Sequence, residues 1–152
     1  MSDLLHIASA FRAAIEEAVR TGDIREMATF PYGCCSYASN LLQRYLIEEY
    51  NIFTWYMSGQ YRCGRDGESH AWLETQDGTV IDITGDQYEY KKLRFTDQVY
   101  IGPRDNGFHN NFELDEPVAY SRDEGPFDRN QDFDRRYAAV IQHLRLQDGE
   151  NG

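Results

Sequence analysis

The side chains able to do chemistry in this chain fall into two groups. Two adjacent cysteines, Cys34 and Cys35, follow the turn-forming run Phe30, Pro31, Tyr32 and Gly33, and they precede an apolar-periodic stretch with Ala38, Leu41, Leu42, Tyr45 and Leu46. That pattern predicts a helix whose start carries the two thiols. Unpaired backbone N–H groups and the positive end of the dipole collect at a helix start, where they favour a thiolate and can receive a developing oxyanion. Downstream, His70 and Asp82 stand on either side of Asp77-Gly78, in two stretches that alternate apolar and polar residues and read as the strands of a hairpin.

Register decides whether this histidine and this aspartate can meet. A two-residue Asp77-Gly78 loop pairs Gln76 with Thr79 and leaves His70 and Asp82 on opposite faces of the ribbon. A three-residue loop from Gln76 to Gly78 pairs Thr75 with Thr79 and gives Gly78 the left-handed position of a G1 bulge. His70, Trp72 and Glu74 then share a face with Val80, Asp82 and Thr84, and His70 lies diagonal to Asp82, within side-chain reach. A carboxylate there fixes the tautomer of the imidazole and stabilises its charged form, which an acid–base histidine requires. Asp82 lies between Ile81 and Ile83, and a half-buried aspartate needs such a partner.

A cysteine at a helix start, then His-x-Trp-x-Glu, then Asp-x-Thr on the next strand resembles the transglutaminase-like branch of the papain-like cysteine hydrolases. Here the elements are Cys35, His70-Ala71-Trp72-Leu73-Glu74 and Asp82-Ile83-Thr84, and the likeness covers about residues 30–90. Gly33-Cys34-Cys35 is similar to the family's Gly-x-Cys, with the small Ser39 four residues on, so the resemblance implies Cys35 rather than Cys34 as nucleophile. The short interval from Cys35 to His70 and the His-Ala-Trp-x-Glu stretch resemble small bacterial members, such as the leader peptidases of lasso-peptide maturation, more than full-size transglutaminases. The implied activity is cysteine-dependent acyl transfer on an amide of a protein or peptide substrate. Cys35 attacks, His70 acts as base and then as acid, and Asp82 orients His70. A peptidase comes first, and a glutamine deamidase or transglutaminase is the alternative from the same triad. No cofactor and no metal enter this chemistry.

Other readings compete. Cys34, Cys35 and Cys63 with His70 would make a zinc site, but neither the Cys-Cys dipeptide nor Cys63 has the usual ligand spacing. The chain could also be an acidic protein-binding module with the triad residues idle. Trp72 reads as a core or wall residue, Glu74 as a solvated strand residue, and His109 as a surface-loop residue and fallback base. Tyr32 and Gln60 are weak candidates for a side-chain oxyanion donor.

The elements that must position these residues follow. Residues 3–20 read as an amphipathic helix with Leu4, Ile7, Ala8, Phe11, Ile15, Ala18 and Val19 on one face, and Thr21-Gly22 ends it. An aromatic-rich strand is expected from Ile52 to Arg62, a loop at Gly64–Gly67, and a further strand between Lys91 and Ile101. The acidic, aromatic stretch from Arg104 to Arg129 has no clear period and reads as a substrate-covering loop or an irregular outer strand. A helix capped by Asn130 or Asp132 carries Phe133, Tyr137, Val140, Ile141 and Leu144 to about residue 147, with the tail from Gly149 fraying. The expected fold class is α+β in a single domain, 1–152, with the core at about 30–102 and terminal helices at about 3–20 and 130–147. The resemblance implies a papain-like core, a Cys-bearing helix packed on an antiparallel sheet. A chain with 41% hydrophobic residues and a formal net charge of -11 is globular and repels nucleic acid and anionic membrane, whereas a basic protein or peptide is attracted. No apolar run is long enough to span a bilayer, the N-terminus lacks a signal-peptide pattern, and the three cysteines suit a reduced compartment, so the expected location is cytoplasmic.

Overall fold

The computed structural model describes residues 2–61, 69–88, 95, 97–121 and 131–151. These form an α+β arrangement of three α-helices and an antiparallel six-stranded sheet. Cys63, the Gly64–Gly67 loop, the beginning of the strand expected from Lys91, and the stretch 122–130 lie outside the described residues.

Helix α1 (Ser2–Arg20) buries Ile7, Ala8, Phe11, Ala14, Ile15 and Ala18, the stripe that a 3.6-residue period places on one side. Helix α2 (Cys35–Tyr50) buries Ala38, Leu41, Leu42 and Leu46, and ends where Asn51 turns left-handed and donates its N–H to the carbonyls of Leu46 and Ile47. Helix α3 (Gln131–Asn151) buries Phe133, Tyr137, Val140 and Leu144 and packs against α1. It continues through Gly149 to Asn151, beyond the end that the sequence suggests.

The strands are β1 (Thr54–Tyr61), β2 (Ser69–Thr75), β3 (Thr79–Asp82), β4 (Tyr100–Pro103), β5 (Phe112–Leu114) and β6 (Val118–Ala119). Their order is β4-β3-β2-β1-β5, with β6 also paired to β1, so β5 and β6 share one edge of that strand. The described part of the stretch from Arg104 thus supplies short outer strands rather than a free loop. Gly59 of β1 stands opposite both His70 and Leu114. A Cβ on Gly59 would lie 2.3 Å from the carbonyl oxygen of Glu113, so only glycine allows β5 this close.

The β2–β3 hairpin has the three-residue register. Leu73 pairs with Ile81 and Glu74 with Val80, and Gly78 has a φ of +87°, the left-handed conformation that glycine adopts without strain. Ala71, Leu73, Ile81 and Ile83 join the core shared with the three helices. The other face of the same strands carries Trp72 and Val80, packed with Met57, Phe108 and Phe112 in a second apolar layer. Because β2 is covered on both faces, its burial does not alternate. No helix among the described residues is long and apolar enough to cross a membrane.

Candidate active site

Cys34 is the N-cap of α2 and Cys35 its first helical residue. No side chain caps the helix and its first turn holds no acidic residue, so no carboxylate of that turn neutralises the N–H groups there. The two thiols have opposite environments. Cys34 is buried among core residues, and burial pushes its pKa up. Cys35 is half-buried and opens on a cleft of about 390 Å³, bordered by Ser36, Tyr56, Gln60, Ser69 and His70. Burial also opposes ionisation of Cys35, yet the hydrogen bond and charge of His70, with the N–H of Ala71, outweigh it and lower the thiol pKa. A larger groove of about 630 Å³, between Leu4, Ile52, Phe53 and Ile101, is bordered by neither cysteine nor histidine.

His70 and Asp82 meet as the hairpin register requires. His70 Nε2 lies 2.7 Å from Asp82 Oδ2, and both side chains are fully buried. Burial disfavours a charged imidazole, but the Asp82 carboxylate and the Cys35 thiolate raise the His70 pKa to about 9. Burial likewise works against the Asp82 anion, and the His70 charge with the hydrogen bonds of His109 and His70 holds its pKa well below the usual carboxylate range. Asp82 Oδ1 accepts the backbone N–H of Thr84 at 2.9 Å.

One contact pulls the other way. Gln87 Nε2 lies 2.9 Å from His70 Nδ1 and donates to it when the ring is neutral, while Gln87 Oε1 accepts the N–H of Gly33 at 3.3 Å. This amide favours neutral His70. The full charge of a carboxylate at 2.7 Å outweighs one amide dipole, so the net direction for His70 is upward.

His109 is the main correction to the sequence reading. It is fully buried rather than on a surface loop, and its Nε2 lies 2.7 Å from the same Asp82 Oδ2 that meets His70. Glu74 is also buried rather than solvated. It accepts the indole N–H of Trp72 at 2.9 Å and the guanidinium of Arg104 at 2.8 Å through both oxygens. Trp72 is in the wall of this layer. Gln60 borders the cleft, whereas Tyr32 is exposed and outside its border.

His70, Asp82 and His109 together could hold a metal ion. The orientation of the rings argues against it. Asn106 Oδ1 accepts the N–H groups of Phe108 and His109, each at 2.8 Å, so its NH₂ faces His109 Nδ1 at 2.7 Å. His109 Nδ1 is therefore the acceptor and Nε2 carries the hydrogen, donated to Asp82. A metal-binding histidine has the reverse arrangement, a bare nitrogen towards the ion and an N–H towards its outer partner. The zinc set of Cys34, Cys35, Cys63 and His70 includes one cysteine outside the described residues and another turned into the core.

Local sequence could not have revealed His109 or Gln87. Asp82 and His109 are 27 residues apart, and no periodicity links them. The available signal was indirect: an aromatic stretch without a period, Phe108 to Phe112, has to cover apolar surface somewhere. No protein-family model, curated protein or solved structure matches this chain.

Proposed function

We propose that the protein is a thiol-dependent hydrolase of amide bonds, a peptidase in the first instance, with Cys35 as nucleophile, His70 as general base and acid, and Asp82 as the residue that orients His70. One observation carries this reading. A thiol at an uncapped helix start lines a cleft together with a buried imidazole that favours its ionisation, and Nε2 of that imidazole rests on a buried carboxylate. The resemblance to small transglutaminase-like members of the papain-like hydrolases agrees with it, and we assign the Cys-bearing α2 and its antiparallel sheet to a core of that kind.

The Cys35 thiolate forms a C–S bond to the amide carbonyl, and the oxyanion is received by N–H groups at the start of α2. His70 gives its proton to the amine as the C–N bond breaks. Water, deprotonated by His70, then displaces Cys35 and leaves a carboxylic acid. When the amide is a glutamine side chain the same steps give deamidation, and an amine in place of water gives cross-linking. Hydrolysis is favoured because Cys35 lines a cleft open to solvent, which gives water access to a thioester.

The test is iodoacetamide labelling from pH 5 to 10, mapped by mass spectrometry, in wild type and His70→Ala, followed by a screen of peptide amides. Cys35 is expected to react rapidly well below the ordinary thiol pKa of about 8.5, and to lose that advantage by at least roughly tenfold in His70→Ala, as expected when a charged hydrogen-bond partner is removed. If Cys35 reacts no faster than Cys34, the reading fails.

A further inference from the structure

We propose that His109 is a positioning residue for the thiol site, acting through Asp82: an imidazole whose Nε2–H holds the aspartate oxygen that receives His70. The inference rests on the thiol-hydrolase reading and extends it to a residue outside the triad.

The geometry supplies the argument. Asp82 Oδ2 takes two ring nitrogens, from His70 and His109, each at 2.7 Å, while Oδ1 takes the Thr84 N–H at 2.9 Å. A carboxylate with no solvent contact needs its lone pairs occupied to remain an anion, and these three donors occupy both oxygens. Of the three, His109 is the one whose hydrogen cannot move to the other nitrogen, because the Asn106 amide is pinned by two backbone N–H groups and must donate to Nδ1. His70 changes protonation during the reaction, and His109 stays a fixed donor. It thereby keeps the carboxylate from rotating and keeps Oδ2 aimed at His70 Nε2.

The segment that carries His109 is itself clamped. Arg104 is paired with Glu74 on β2, and the His109 ring lies between Tyr100, stacked at 5.4 Å, and Trp72, edge-on at 4.8 Å. Phe95 and Phe108 close the remaining sides at 5.1 Å and 4.8 Å. Among the described residues, Cys35 of α2 acts on both His70 and Asp82, and Tyr100 of β4 stacks on His109, while Glu74 of β2 is held by Arg104 and Asp86 by Arg12 of α1.

The test compares Cys35 alkylation across pH in wild type, His109→Phe, which keeps a ring and removes the donor, and His109→Gln, which restores an N–H. His109→Phe is expected to slow Cys35 alkylation at neutral pH by roughly tenfold, the scale of a lost hydrogen bond to a charged group, and to move its midpoint up towards the ordinary thiol value. His109→Gln is expected to recover most of both. An unchanged midpoint in folded His109→Phe overturns the proposal. So does a downward shift, which would mean that His109 merely weakens the Asp82 charge. Nitrogen-15 NMR of labelled histidines in wild type is independent of any variant. His109 is expected to carry its hydrogen on Nε2, donated to Asp82, and a ring with a bare Nε2 overturns the proposal. Stoichiometric metal in the purified protein, lost in His109→Phe, also overturns it. If wild-type Cys35 is itself inert, the hydrolase reading fails first, and the two failures are thus distinguishable.

Discussion

At the residue scale, the proposed reaction would use His70 in two ways that pH separates. His70 has its pKa raised to about 9 while that of Cys35 is lowered, so thiolate and imidazolium coexist between the two values. Alkylation needs only the thiolate. It should rise through the lowered Cys35 value and then stay level above pH 9. The proposed amide hydrolysis would also need the proton on His70 for the leaving amine, so its rate is expected to fall as pH passes about 9. Measuring both profiles on one preparation checks this, and two parallel profiles would contradict it. The stability linkage has the same sign. A histidine whose pKa rises from 6.5 to about 9 on folding contributes stability that is complete below pH 6.5 and is lost as pH climbs through 9. For Asp82 the sense is opposite: its contribution is present above the ordinary carboxylate range and fades only as pH falls towards its depressed value. Cys35, His70 and Asp82 were all legible as candidates because each has a local signal, a helix start or a strand position. His109 had none, since its partner is distant in sequence and an unperiodic aromatic stretch gives a ring no direction.

At the scale of elements, the hairpin was readable and the outer edge was not. The sequence offers two registers for β2 and β3, and the one with Gly78 at the left-handed turn position, which the structure has, puts His70 and Asp82 on one face. Strands β5 and β6 are too short for any alternation to register, three and two residues, and they exist because β1 offers them an edge. Glu74 differs from its sequence expectation for a related reason: a strand covered on both faces buries residues that a two-sided hairpin would expose. Gly59→Ala tests the edge. The new methyl meets the Glu113 carbonyl, backbone that cannot rotate away, so β5 must shift. The expected cost is about 1–3 kcal/mol, the usual scale of overpacking, seen as a lower denaturation midpoint. Because β5 continues directly from the segment holding His109, Cys35 alkylation should slow in the same variant. Normal reactivity in a destabilised Gly59→Ala would uncouple the edge from the site.

At the scale of the whole molecule, the N-terminal helix reaches the site through one buried cation. Arg12 of α1 donates to the carbonyls of Ile83 and Gln98, each at 2.9 Å, and to both oxygens of Asp86, at 2.6 and 2.8 Å. Asp86 belongs to the 3₁₀ turn Gly85–Tyr88, which also bears Gln87, the residue that touches His70 and the N–H of Gly33. Arg12→Ala leaves a buried carboxylate unpaired, with an expected loss of about 3–5 kcal/mol in denaturant unfolding. Asp86→Asn in the Arg12→Met background should regain part of it, since that pair removes both charges, and failure to regain any would show that packing of the arginine stem dominates.

The adjacent cysteines have a use of their own. In the native chain one lines the cleft and the other is shut away in the core, yet on unfolding the two become chemically near-identical neighbours. They also lie on one tryptic fragment, between Arg25 and Arg44. The proportion of label on Cys34 relative to Cys35 after a brief pulse is therefore a built-in gauge of how many molecules are folded. It is self-normalising, free of any added dye, and applicable inside a crude mixture.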